Sequence, residues 1–250
     1  YKSDVRDLLI GAEGIHSVVR RHYYPSEGNP VWNDCVLWRA TTEGMPFLSG
    51  HLMVMVGHED QKFVCYPISR VAELEGRSLI NWIAELRIHD QKSRRREDWN
   101  RTVGTDEFLS KFENWDFGWI KMSDIIRGAI TVYEFPIVDR DPIEQWSFGR
   151  MKLLGDAAHP MHPIGFNGAP QAIIDGRVLA LHLATLDDPE AALRAYEEDR
   201  RPPTSRIVFA NRGNGPDQAM QLAEERAPDV FDGLDEVLAP EELAAIAEQY

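Results

Sequence analysis

The chain alternates short apolar runs with turns marked by glycine and proline, then changes to longer segments with helical spacing. Residues 5–24 read as a strand around Asp7-Leu8-Leu9-Ile10, a glycine turn and a short basic helix. Strands are expected over 36–41 and 51–56, joined through Gly44, Pro46 and Gly50. A third, over 62–67, follows the charged turn His58-Glu59-Asp60, and a fourth, over 78–85, follows Glu75-Gly76-Arg77. The four are expected to form an antiparallel meander. Their apolar residues alternate only in part, so both faces should be covered at some positions. Residues 105–127 are expected to be helical, with Phe108, Leu109 and Phe112 at i, i+1 and i+4, and residues 130–137 form another strand. After the apolar run 151–154, a helix over 171–186 carries Ile174, Val178 and Leu181 on one face. A second helix, 189–213, contains Pro202 and Pro203, which should kink or interrupt it. Residues 240–250 read as a short amphipathic helix.

Composition narrows the class of protein. A chain of 250 residues can bury a good core in one or two domains. Its net charge of −14 disfavours nucleic acid and anionic membrane surfaces as partners. The run Arg94-Arg95-Arg96 is short and compensated by Glu97 and Asp98, so it reads as a solvated loop. Cys35 and Cys65 lie in apolar, strand-like runs and read as buried, reduced thiols of a cytoplasmic protein. No apolar run reaches the ~18 residues that a membrane span needs. Trp115, Phe117 and Trp119 form an aromatic stretch that either lines a pocket or packs beneath the sheet.

Candidate chemistry concentrates in Gly155-Asp156-Ala157-Ala158-His159-Pro160-Met161-His162-Pro163-Ile164-Gly165-Phe166-Asn167-Gly168-Ala169-Pro170. It reads as strand, aspartate, glycine-rich turn, helix. Gly165 and Gly168 let backbone approach a ligand closely. The following helix would point its free N–H groups and positive dipole end at that ligand. Asp156, at the strand end, can accept hydrogen bonds from a hydroxylated ligand. His159 and His162 have i, i+3 spacing, but no third ligand lies nearby, so no metal site is expected. Ser17 lacks a Gly-x-Ser-x-Gly elbow, and no nucleophile–base arrangement is evident.

This run resembles the second flavin-binding motif of the FAD-dependent aromatic hydroxylases, the single-component flavoprotein monooxygenases. About 140 residues upstream, Gly11-Ala12-Glu13-Gly14-Ile15-His16-Ser17-Val18-Val19-Arg20 resembles that family's Gly-Ala-Asp-Gly-x-x-Ser-x-Val-Arg motif. Trp38-Arg39-Ala40-Thr41-Thr42-Glu43, Pro46-Phe47-Leu48 and Tyr66-Pro67-Ile68-Ser69 are similar to the branch that includes phenazine-carboxylate hydroxylases. The family's opening Gly-x-Gly-x-x-Gly is absent, and the first residue is Tyr1. The resemblance therefore implies the C-terminal portion of a longer protein, lacking on the order of a hundred or more residues and binding FAD weakly without them.

The fold implied is α/β (α+β): an incomplete FAD/NAD(P)-binding Rossmann-like domain plus an antiparallel-sheet substrate domain. Residues 1–30 and 149–215 would belong to the first, 31–148 to the second, and 216–250 to a helical tail. The activity implied is hydroxylation of a small aromatic substrate with NADH or NADPH and O2, through a flavin C4a-hydroperoxide. The alternatives are another flavin oxidoreductase on the same scaffold, or a catalytically silent binding fragment. By resemblance, Asp156 holds the ribityl chain of FAD, and Gly165, Phe166, Asn167, Gly168 and Ala169 meet the pyrimidine end of the ring. Pro163 positions substrate. Pro170 departs from the family's small polar residue but suits a first helical turn. Glu13 stands for the family's aspartate, tied to FAD pyrophosphate and nicotinamide nucleotide use. Arg20 pairs with Glu13, reaches a phosphate, or forms a surface ion pair. The substrate roof candidates are Trp38, Arg39, Met53, Met55 and Tyr66, with Met53 and Met55 sharing a strand face. They are as readily core as pocket. Arg39 would hold an aromatic carboxylate or face solvent. His159 is expected to bond loop backbone. The protein would be cytoplasmic and off the membrane, with room for a homodimer.

Overall fold

The computed structural model describes residues 8–88, 101–227, 231 and 233–248; the Arg94–Arg96 run lies outside them. The chain divides into two compact units, Tyr1–Asn33 with Val138–Tyr250, and Asp34–Ile137.

In chain order the strands are β1 (Leu9–Gly11), β2 (Val31–Gly44), β3 (Val54–Gly57), β4 (Gln61–Pro67), β5 (Ser78–Arg87), β6 (Thr102–Val103), β7 (Val132–Asp139), β8 (Ser147–Phe148) and β9 (Met151–Leu153). The helices are α1 (Val18–Tyr23), α2 (Arg70–Leu74), α3 (Leu109–Phe112), α4 (Met122–Arg127), α5 (Gly168–Thr185), α6 (Pro189–Arg212), α7 (Gln218–Arg226) and α8 (Pro240–Ala247).

In the first unit, β1 pairs in parallel with β9, and β8 adds to β9 antiparallel. Parallel pairing joins the two motif-bearing segments: Gly11 faces Leu153, so the residues after each strand emerge at the same sheet end. Trp146, Leu153, Ala157, Leu179, Leu193 and Tyr196 close the core between this sheet, α5 and α6. The inner face of α5 differs from the expected one. Ile174 and Leu181 are exposed, while Leu179 and the charged Asp175 are buried. Asp175 is drawn inward by partners on two other segments, described below, and the apolar stripe rotates to accommodate it. Helix α6 runs through Pro202 and Pro203 without interruption. Beside the prolines, the Thr204 and Ser205 hydroxyls donate to the carbonyls of Arg200 and Arg201 at 2.8 and 2.7 Å.

Among the described residues of the second unit, six strands lie in the order β3-β4-β5-β2-β7-β6. This is not the expected meander. β2 skips β3 and pairs along its length with β5, from Cys35 opposite Arg87 to Gly44 opposite Ser78. The segment between β2 and β3, with Pro46 and Gly50, is too long to be a tight hairpin, so nothing forces those strands together. β2 also carries apolar side chains on both faces, as a central strand must. Trp38, Phe63, Trp82, Phe108, Phe112 and Met122 fill the core on one face.

Residues 105–127 form a 3-10 turn at Thr105–Glu107 and the short helices α3 and α4 instead of one helix. Between them Asp116 accepts the Gly118 N–H at 2.9 Å, and Phe117 N–H reaches the Ile120 carbonyl at 3.0 Å. That turn breaks the helix the apolar spacing predicts. Trp115 packs against the core, whereas Phe117 and Trp119 are exposed. Neither cysteine is in a disulfide, and burial pushes the thiols of Cys35 and Cys65 up to about 11 and about 12. Among the described residues, no helix is long and apolar enough to cross a membrane.

Candidate flavin site

The loop leaving β1 begins under steric constraint. A Cβ on Gly11 would lie 3.0 Å from Val19 Cβ and 3.2 Å from Leu153 Cδ2, so only glycine lets α1 and β9 approach. Gly14 adopts φ +84°, with nothing within 4 Å of where a Cβ would stand. Glu13 Oε1 accepts the Val19 N–H at 3.0 Å, and Ser17 Oγ accepts the Arg20 N–H at 2.9 Å, so both cap α1. Partial burial raises the Glu13 carboxyl pKa, but hydrogen bonds led by the Val19 N–H outweigh it and hold the group below its ordinary value.

Arg20 does not pair with Glu13. Its side chain is 1% exposed and pairs with Glu27. Nη1 donates to the carbonyls of Ala157 and Ala158 at 3.2 and 2.8 Å, and Nη2 donates to that of Asp141 at 2.9 Å. Arg140 in turn holds Glu27 at 3.2 Å. The guanidinium is therefore spent on Glu27, the Asp141 carbonyl and the turn after β9, and its side chain is buried.

That turn presents one side chain. From Gly155 to His162 every residue is buried except Asp156. The surrounding protein displaces enough water to raise the Asp156 carboxyl pKa, with His159 opposing the rise. Gly155 and Gly165 take φ +60° and +68°. Phe166 follows at φ +56°, a conformation rare for a side chain of its size and characteristic of functional loops. Asn167 precedes α5 but does not cap it; its Nδ2 is a buried donor without a partner. The helix N-terminus at Gly168 thus has no side-chain cap.

Ala12, Gly14, Asp156, Pro163, Phe166 and Gly168 line a recess of about 610 Å³ within this unit. That size is ordinary for a cofactor site. Glycines with open space at 14 and 168, an orphaned amide donor and an uncapped helix N-terminus fit a planar, electron-rich ring, and Asp156 fits its hydroxylated arm. His159 bonds a side chain rather than loop backbone: its Nε2 meets Asp175 Oδ2 at 2.5 Å. His162 lies 3.5 Å from Asp139, which Arg212 grips at 2.7 and 2.8 Å. Burial lowers the His162 pKa, against the pull of Asp139. The Asn211 amide donates to the His162 carbonyl at 2.8 Å and so anchors the chain ahead of Pro163. Among the described residues, no group of three or more His, Cys, Asp or Glu side chains could hold a metal.

In the second unit, register sorts the substrate candidates. Met55 faces Val64, Val64 faces Ile83, and Ile83 faces Arg39. With Tyr66 two residues beyond Val64, these side chains share one face of the sheet. Asn81, opposite both Tyr66 and Thr41, stands there too, and Arg39 Nε donates to its Oδ1 at 3.1 Å. Trp38 is on the other face, 6% exposed, stacked on Phe108 at 4.4 Å with its Nε1 bonded to Glu134; it is core. Met53 lies before β3, outside any strand, and is exposed, so it shares no strand face with Met55.

Sequence reasoning missed Asp175, Lys152 and Asn81. An aspartate between the apolar Ala172-Ile173-Ile174 and Gly176 was the available signal for the first, and a lysine between Met151 and Leu153 for the second.

A paired-motif fold with an uncapped helix facing a recess defines part of an FAD-binding domain. A family model described as FAD binding domain matches residues 4–210. Phenazine 1,6-dicarboxylic acid hydroxylase PhzS of Lysobacter antibioticus is 40% identical over 82% of this chain and 50% of its own length. The 3-amino-4-hydroxybenzoate 2-monooxygenase PtmB3 of Streptomyces platensis is 30% identical over 94% of this chain and 58% of its own. The solved structure of Klebsiella pneumoniae HpxO complexed with FAD and uric acid shares the fold, with a TM-score of 0.73 at 23% identity over 97% of this chain and 59% of that one. The chain belongs to the FAD-dependent aromatic hydroxylase family. It spans about half the length of the curated relatives it matches.

Proposed function

We propose that the chain supplies the flavin-ring side of the cofactor site and the substrate sheet of an NAD(P)H-dependent monooxygenase acting on an aromatic carboxylate. The observation that carries this reading is the clamped turn whose sole exposed side chain, Asp156, opens on the same recess as the uncapped start of α5. FAD, when bound, supplies the redox chemistry, accepting hydride from NADH or NADPH and activating O2 for insertion of one oxygen atom into the ring.

The chain's own residues bind and orient. Asp156 accepts hydrogen bonds from the ribityl hydroxyls. The N–H groups of Gly168 and Ala169, with the helix dipole, stabilise negative charge at the pyrimidine end, while Gly165, Phe166 and Asn167 shape the approach. Glu13 secures the upstream loop, and Pro163 at the recess wall positions substrate. Arg39, Met55 and Tyr66 form the substrate wall, with the accessible Arg39 guanidinium taking the carboxylate as a charged pair. The aromatic acids in the relatives' names support that choice.

Supplying the protein from its complete reading frame with NADH or NADPH, ¹⁸O2 and a panel of aromatic carboxylates tests the reading. A product heavier by one labelled oxygen is expected. Oxidised product without label would assign another flavin oxidoreductase chemistry, and no turnover with any acid would favour a binding role.

A further inference from the structure

The aspartate buried in α5 has no part in the roles above, yet it touches the turn that carries Asp156 at both ends. Asp175 is 0% exposed. Its Oδ2 accepts the Gly155 N–H at 3.1 Å and meets His159 Nε2 at 2.5 Å. One oxygen atom therefore ties the residue before Asp156 to the residue three after it. Its Oδ1 accepts from Arg200 Nε at 2.8 Å, and Arg200 Nη2 reaches Gln171 Oε1, one turn earlier on α5, at 2.5 Å. Burial would raise the Asp175 carboxyl pKa, but the hydrogen bonds from His159, Arg200 and Gly155 outweigh it and hold the group as an anion. From the other side, Arg20 takes the carbonyls of Ala157 and Ala158. The turn's N–H and carbonyl groups are thus gripped by buried charges of opposite sign.

We infer that Asp175 is a positioning residue of the cofactor site, fixing the place of Asp156 relative to the start of α5. It lies on α5 about two turns from Gly168, so the same carboxylate ties the ribityl contact to the helix N-terminus that faces the ring. A carboxylate held this way meets a ligand hydroxyl without first losing conformational freedom, and that preorganisation appears as affinity. Asparagine at this position keeps the volume. Its amide has one acceptor oxygen for two such positions, so its NH2 would face either Gly155 N–H and His159 or Arg200 Nε, and one side of the grip loses its acceptor.

The inference rests on the reading that Asp156 holds FAD, and a double-mutant cycle separates the two. FAD dissociation constants are titrated for the complete protein and for Asp156→Ala, Asp175→Asn and the double variant, with thermal unfolding alongside. Each single variant should bind FAD about tenfold more weakly. In the Asp156→Ala background, Asp175→Asn should change the constant by less than about twofold, because what it positions is gone. Equal losses in both backgrounds would overturn the inference and make Asp175 a residue of the general fold. An unchanged constant for Asp156→Ala would remove Asp156 from the cofactor site, and the inference with it. If Asp175→Asn does not fold, His159→Ala takes its place in the same cycle. His159→Gln, which can still donate to Asp175, should recover most of the loss; no recovery would overturn the positioning role.

Discussion

Replacing Lys152 by methionine should change how the stability of this chain depends on pH. Lys152 sits in β9, the strand that delivers Asp156, and is 0% exposed. Its Nζ donates to Ser147 Oγ at 2.7 Å and to Glu197 Oε2 at 3.0 Å, and lies 4.6 Å from the centroid of the Tyr196 ring. Burial outweighs the attraction of Glu197 and pushes the lysine from 10.5 down to about 8. Below about pH 8 the ammonium is present in both states and the folded protein bears its full desolvation cost. Between about 8 and 10.5 the folded lysine is neutral while the unfolded one still holds its proton, so stability rises with pH. At about 1.4 kcal/mol per pH unit, the wild type should gain about 2.5 kcal/mol on Lys152→Met between pH 7 and pH 10. Urea unfolding of both chains at the two pH values, followed by circular dichroism, measures the difference, and effects common to both chains cancel. Parallel curves would refute the reasoning and mean that the ammonium stays charged in the folded chain.

Arg39→Ala should cost on the order of 2 kcal/mol or more in apparent binding of an aromatic carboxylate, visible in KM, while FAD affinity and binding of a carboxylate-free analogue barely change; equal losses for both substrates would make Arg39 structural. Gly168→Leu should leave thermal stability within about 2 °C, since no protein atom lies within 4 Å of the new Cβ, yet weaken FAD binding about tenfold or more by filling the recess. Arg20→Met should destabilise by about 3–5 kcal/mol in urea unfolding, because Glu27 loses a buried partner and three carbonyls lose their donor.

The two motifs were legible because their glycines, Asp156 and the strand–turn–helix order are local features of sequence. Parallel pairing of β1 with β9 brings them together. Partnerships between charged residues were not legible. Arg20 was open to Glu13, seven residues away, to a phosphate or to a surface ion pair, yet it is buried and answers Glu27 and carbonyls 137 and 138 residues along the chain. Asp175 was hidden by the rule that helix charges face water, and the apolar stripe of α5 was misplaced in consequence. Five strands of the larger sheet could be placed, but not their neighbours: strand order depends on which connections cross over, and local alternation carries no record of that. The face of each strand residue then followed from register, which separates Trp38 from Arg39 and Tyr66.

Hydrogen exchange with and without FAD, on the protein from its complete reading frame, tests the central claim without relying on activity. Amides in peptides spanning 155–172 and 11–20 should become protected when FAD is added, with the largest change around Gly168 and Ala169. In Asp156→Ala the same peptides should need higher FAD concentrations to reach that protection. Protection confined to other segments, with residues 155–172 exchanging as in the free protein, would contradict the assignment of this loop as the flavin cradle.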